Sequence, residues 1–192
     1  MNNIQAKIIG ISPLMVHNER LANPMDPVTR ELKKLTQQKS KSDELLEQIM
    51  KLEWLGGLYL GEDGKAAMPG DNLIACLKEG ARKRKKGKEF AAGVLPSETS
   101  FALQYEGPKE PEAMWGAGKF LDYRGVVIGG RRLMRARPIF CAWSLDVAFF
   151  FDPDIVNHDD IIEALTIAGE RVGLCERRPS KGGSFGRFVV EV

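Results

Sequence analysis

The stretch MPGDNLIACLKEGARKRKKGK, Met68 to Lys88, carries three signals in one line. A Pro-Gly turn opens it, and Asp71 or Asn72 is placed to cap the helix that follows. Leu73, Cys76/Leu77 and Gly80/Ala81 recur at helical spacing and supply one apolar stripe. The helix then ends in a burst of charge: from Arg82 to Lys88, six of seven residues are Lys or Arg, namely Arg82, Lys83, Arg84, Lys85, Lys86 and Lys88. Cations at a helix C-terminus complement the macrodipole, each contributing about 0.3–1 kcal/mol. Two would serve that purpose, whereas six repel one another unless a polyanion offsets them.

Outward from this helix, two other segments share its charge. Val126 to Phe140 holds Arg131, Arg132, Arg135 and Arg137 and no acid; if extended, it sets Arg131, Arg135 and Arg137 on one face. Arginines so arranged suit bidentate phosphate contacts and stacking on bases. RRPSKGGSFGRF, Arg177 to Phe188, holds Arg177, Arg178, Lys181 and Arg187 and again no acid. Its Gly182 and Gly183 let a ligand approach the backbone, whose N–H groups can hold phosphate oxygens. Ser184 adds a hydroxyl, and Phe185 offers a stacking surface or a core side chain. The acids gather elsewhere, at Glu106–Glu112, Asp152–Glu163 and Glu31–Glu53. On a chain of net charge +2, three basic segments suggest one positive face.

The rest of the chain frames these segments. Ile4 to Val16 predicts a first strand, and HNERLANPMDP a long loop. Thr29 to Trp54 predicts helix broken at residues 40–42, with Asp43 and Glu44 in a first turn, so residues 17–55 form a loop and helical insertion. Asp63-Gly64 predicts a hairpin turn. Phe101–Tyr105, Val126–Phe140 and Cys141–Phe151 predict extended segments. Asn157 caps a helix through Ile161, Leu165, Ala168 and Val172 that stops at Gly173, and Phe188, Val190 and Val192 alternate as a closing strand. Without the insertion and the hairpin, the order is β-α-β-β-α-β. The expectation is one α+β domain over residues 1–192, a ferredoxin-like antiparallel sheet with two helices on one face.

Several chemistries fail on these residues. Gly182 to Gly186 matches G-x-S-x-G, but no His or Asp follows it, so a nucleophile elbow is excluded. Gly118-Lys119 lacks the remainder of a phosphate loop. Cys76, Cys141 and Cys175 are odd in number and far apart, which fits reduced core thiols in a cytoplasmic protein; neither a metal nor another cofactor is expected. No apolar run spans a bilayer. His17 beyond the first strand and Asp26 in the loop are the two candidates for a catalytic base; a structural histidine and an Asx-type turn are the alternatives.

Two of the stretches together resemble the RAMP superfamily, the repeat-associated RNA-binding proteins of CRISPR systems. MPGDNLIACLKEGARKR resembles that superfamily's PGSSLKGALR-like turn and helix, with Asp71-Asn72 in place of a small Ser pair. RRPSKGGSFGRFVVEV resembles its glycine-rich loop before the last strand. The resemblance implies an RNA-recognition-like sheet and a subunit that stacks along single-stranded guide RNA, with Lys181 to Arg187 on the RNA. It also implies copies of the same chain or RAMP-like proteins as partners, or a stand-alone relative carried by a phage or mobile element. Some members cleave target RNA with a loop aspartate, the place held here by Asp26, and others process guide RNA with a histidine, the place held by His17. The expected function is therefore non-catalytic binding of RNA or other single-stranded nucleic acid. The alternatives are a ribonuclease, and a protein-interaction module or inhibitor that imitates a backbone subunit.

Overall fold

The computed structural model describes residues 1–191; the side chain of Ile128 is left aside, and Val192 of the expected closing strand lies outside the described residues. The chain is a mixed α+β protein with antiparallel sheets, and it divides into two compact units. The first comprises Met1–Leu14, Leu60–Glu106 and the residues from Phe140 onward. The second comprises Met15–Tyr59 and Gly107–Ile139.

The first unit is built on β1 (Asn2–Gly10), where Ile4, Ala6 and Ile8 are buried and Asn3, Gln5 and Lys7 are exposed. That period of two gives the strand one dry and one wet face. The same alternation buries Leu145, Val147, Phe149 and Phe151 on β8 (Ser144–Phe151). With β4 (Val94–Pro96) and β9 (Phe188–Glu191), the sheet order is β4-β8-β1-β9, every neighbour antiparallel. The dry face is covered by α3 (Gly70–Arg82) and α6 (His158–Ile167), the latter continued by a π-helical turn Ala168–Val172 that ends at Gly173. Gly80 lets α3 and α6 meet: a Cβ there would lie 2.4 Å from the Ala164 carbonyl oxygen.

Three local expectations change. β5 (Ser100–Ala102), inside the predicted strand Phe101–Tyr105, pairs with β3 (Ala67–Pro69) outside the four-stranded sheet. The sheet takes Val94–Pro96 instead, a three-residue edge strand that tolerates its proline because only one side is paired. Asp71 and Asn72 do not cap α3. The helix begins at Gly70, so both fall inside its first turn, and Pro69 is the N-cap with no side-chain bond. By contrast, Asn157 caps α6 as expected, accepting from the Asp160 N–H.

The second unit holds a 3-10 turn Glu19–Ala22, α1 (Pro27–Thr36) and α2 (Asp43–Gly57), with the break at 40–42 where it was expected. It also holds α5 (Pro111–Gly116) and most of a sheet in the order β2-β7-β6, formed by β2 (Leu14–Met15), β6 (Leu121–Ile128) and β7 (Arg131–Phe140). Trp54 is fully buried; its indole N–H donates to the Phe120 carbonyl (2.8 Å) and its ring meets Trp115. The predicted extended segment Val126–Phe140 is therefore extended only in part: it reverses at Gly129-Gly130, so its first residues end β6 and Arg131–Phe140 form β7. A short α4 (Gly87–Gly93) follows the basic turn in the first unit. Among the described residues, no helix is long and apolar enough to cross a membrane.

Candidate nucleic-acid interface

The residues that lead into the glycine-rich loop pack on α3 and on the strand before it. β3 delivers the chain into α3, and the Cys76 thiol of α3 donates to the Gly173 carbonyl (3.3 Å). Ahead of the helix, on β3, Met68 Sδ lies 3.7 Å from Cys175 Sγ. Gly173 and Cys175, which lead into the glycine-rich loop, therefore lie against the middle of α3 and the strand ahead of it. Burial pushes the Cys76 thiol far up and the Cys175 thiol up to about 12, so both are inert thiols rather than nucleophiles. Cys141 is exposed, which corrects its expected place in the core.

The loop is held almost wholly by its own backbone. Gly182 N–H donates to Pro179 O, Gly183 N–H to Arg178 O, Phe185 N–H to Arg177 O and Gly186 N–H to Pro13 O. At its exit, Arg187 N–H donates to Ser12 Oγ (2.9 Å). Gly186 is fixed as glycine twice over: its φ is 67°, and a Cβ would lie 2.0 Å from the Leu174 carbonyl oxygen. These four loop amides are spent inward, so they are not free to hold phosphate as expected. Arg178 braces the loop, donating to Cys175 O (2.8 Å) and Ser180 Oγ (3.1 Å). The Arg177 guanidinium lies 6.0 Å from the centroid of the half-buried Phe185 ring. Arg177, Lys181, Ser184 and Arg187 are exposed, and among the described residues none of the three cations has a carboxylate partner. Arg177 and Cys175 also have left-handed φ values of 53° and 59°. Non-glycine residues adopt that region at a cost, and such strain concentrates at functional sites.

The basic burst sits at the other end of α3, about 18 Å along the helix axis from its start. Arg84 pairs with Glu163 (2.7 Å) and Lys86 with Asp160 (2.5 Å), both acids of α6. Arg82, Lys83, Lys85 and Lys88 are exposed without a carboxylate partner among the described residues. Lys85 has a left-handed φ of 65° in the turn between α3 and α4. Within the first unit, the two basic segments lie at opposite ends of the helical layer.

The third basic segment belongs to the second unit. Arg131 and Arg132 are exposed beside the Gly129-Gly130 turn of the hairpin. Arg135 is taken up inside the unit: it donates to Glu53 Oε1 (2.8 Å), whose Oε2 accepts the Ala136 N–H (2.9 Å). Glu53 is 5% exposed, a buried acid that the sequence hid at the polar edge of the α2 stripe. Arg137 is half-buried and stands opposite Asp122 in the register. Of the three arginines expected to present one binding face, Arg131 is the one that is exposed.

The two candidate bases belong to the second unit. Asp26 caps α1 by accepting from the Val28 and Thr29 N–H groups, and Arg20 donates to both of its oxygens. Partial burial raises its pKa, but the Arg20 hydrogen bond, the two amides and the Arg20 charge outweigh this and hold the carboxyl below its usual range. Its contacts are those of a cap. His17 is half-buried, and its carbonyl accepts from the Tyr59 hydroxyl (3.1 Å).

The wet face of the four-stranded sheet is a poor surface for phosphate. Lys7 stands opposite Asp146 on one neighbouring strand and Glu191 on the other, and Glu98 lines the same shallow hollow. Compared with known proteins, the chain matches no protein-family model and no curated protein.

Proposed function

We propose that the protein binds RNA or other single-stranded nucleic acid without cleaving it, through the loop Arg177–Arg187. The observation that carries this reading is the loop itself. It is closed by its own hydrogen bonds, strained at Cys175 and Arg177, and it exposes Arg177, Lys181 and Arg187 with no carboxylate partner among the described residues. A rigid frame lowers the ordering cost of binding, and bare cations supply the counterion-release free energy that dominates nucleic-acid affinity. The exposed guanidinium of Arg177, over the Phe185 ring, gives a base a plane on which to stack.

The strand order supports a ferredoxin-like, RAMP-like unit. Taking β1, β4, β8 and β9 as first to fourth, the sheet reads fourth-first-third-second, with a helix after the first and after the third strand. On this reading the protein is a cytoplasmic subunit that assembles with its own copies or with RAMP-like partners. The commitment of Asp26 to capping disfavours its use in a ribonuclease.

Purification without nuclease tests the proposal. At low salt the protein should elute with a high 260/280 nm absorbance ratio that collapses at high salt. A protein-like ratio at both salts, with no binding of added single-stranded RNA, would count against it.

A further inference from the structure

The second unit carries a groove that the nucleic-acid reading does not use. It is an open hollow of about 620 Å³ between α1, α2 and the β6–β7 hairpin. α2 lines it with Leu46, Ile49, Met50 and Glu53, and α1 with Thr29, Leu32, Lys33 and Thr36. Each set has the spacing i, i+3, i+4, i+7, the ridge by which one helix receives another. The hairpin closes the third side with Tyr123, Leu133 and Met134.

Its apolar floor is incompletely covered: Leu46, Leu133, Met134 and Tyr123 are 44%, 41%, 48% and 49% exposed. α1 has no fully buried residue, although it is strongly amphipathic. Two methionines in such a floor give a surface that adapts to an incoming side chain. The rim is cationic. Lys33 and Lys41 are exposed on it, and the one acid present, Glu53, is already neutralised by Arg135 and the Ala136 N–H.

From this we propose that the groove is a docking site for an acidic amphipathic helix of a partner protein. The helix lays its apolar stripe on Leu46, Met50, Leu133 and Met134, and its Asp and Glu residues meet Lys33 and Lys41. Both helical ridges then gain a third helix against them, and the exposed leucines leave water. The site is independent of the glycine-rich loop, so either reading can fail alone.

The test is a selection of displayed random peptides of about 16 residues, enough for four helical turns, on the full chain. Each enriched peptide is then measured by fluorescence anisotropy against the wild type, Leu46→Glu/Leu133→Glu and Lys33→Glu/Lys41→Glu. The expected peptides carry apolar residues at i, i+3 or i+4, and i+7 with an excess of acids, and each double variant weakens them at least about tenfold. The lysine pair is exposed and leaves the floor intact, so it reads the site even where the leucine variant fails to fold. Peptides of neutral or basic character, or affinities unmoved by Lys33→Glu/Lys41→Glu, would overturn the proposal. So would a concentration-dependent dimer abolished by the same lysine variant, because the occupant would then be a second copy.

Discussion

At the scale of one residue, Asp26 and Glu53 show that its contacts decide what a carboxylate does. Asp26 looks catalytic in a list of loop acids, yet two amides and a guanidinium hold it. Its folded pKa lies below the unfolded one, so its contribution to stability is present above the unfolded value and is lost as pH falls through the folded value. Thermal melting of wild type and Asp26→Asn should therefore differ most near neutral pH and converge in strong acid; a difference independent of pH would contradict this. RNA-binding affinity should be the same for both. Glu53 closes the acid-rich stretch Glu31–Glu53, yet it is buried and satisfies both Arg135 and a backbone amide. Glu53→Ala leaves those donors without a partner and should cost about 2–4 kcal/mol in urea unfolding. Removing Arg135 in that background should then cost much less than removing it from the wild type.

Among the elements, periodicity was legible and pairing was not. The α6 stripe, its Asn157 cap and the break between α1 and α2 follow from local spacing and capping chemistry. The edge strand Val94–Pro96 was missed because three residues ending in proline carry almost no strand signal; the long apolar β8 creates that strand by pairing with it. The glycine-rich loop was legible only as glycines: Gly182, Gly183 and Phe185 spend their amides on the carbonyls of Pro179, Arg178 and Arg177, a local closure that spacing does not spell out, while Gly186 and Arg187 are closed by Pro13 and Ser12, more than 170 residues away in the chain. Gly80 tests the packing of α3 on α6. In an uncovered helix, Gly80→Ala would stabilise by up to about 1 kcal/mol. Here its Cβ would meet the Ala164 carbonyl at 2.4 Å and Ala168 Cβ at 3.0 Å, so overpacking of about 1–3 kcal/mol should win and lower the melting midpoint. A raised midpoint would mean that the helices part without cost.

For the whole molecule, charge density along the sequence was visible and its neutralisation was not. Six cations from Arg82 to Lys88 lose two to the acids of α6, and the arginine row of β7 loses Arg135 to Glu53. What remains in the first unit stands at two ends of one helical layer, and the loop end is the one built as a rigid frame. The central claim is that this loop binds single-stranded nucleic acid. Its most direct test is the salt dependence of labelled single-stranded RNA binding, by anisotropy, for wild type and Arg177→Ala/Lys181→Ala/Arg187→Ala. Losing three phosphate contacts should weaken binding at least about tenfold at low salt and flatten the log–log salt slope by about 2. Affinity and slope equal to those of the wild type, with the fold intact by circular dichroism, would contradict the account.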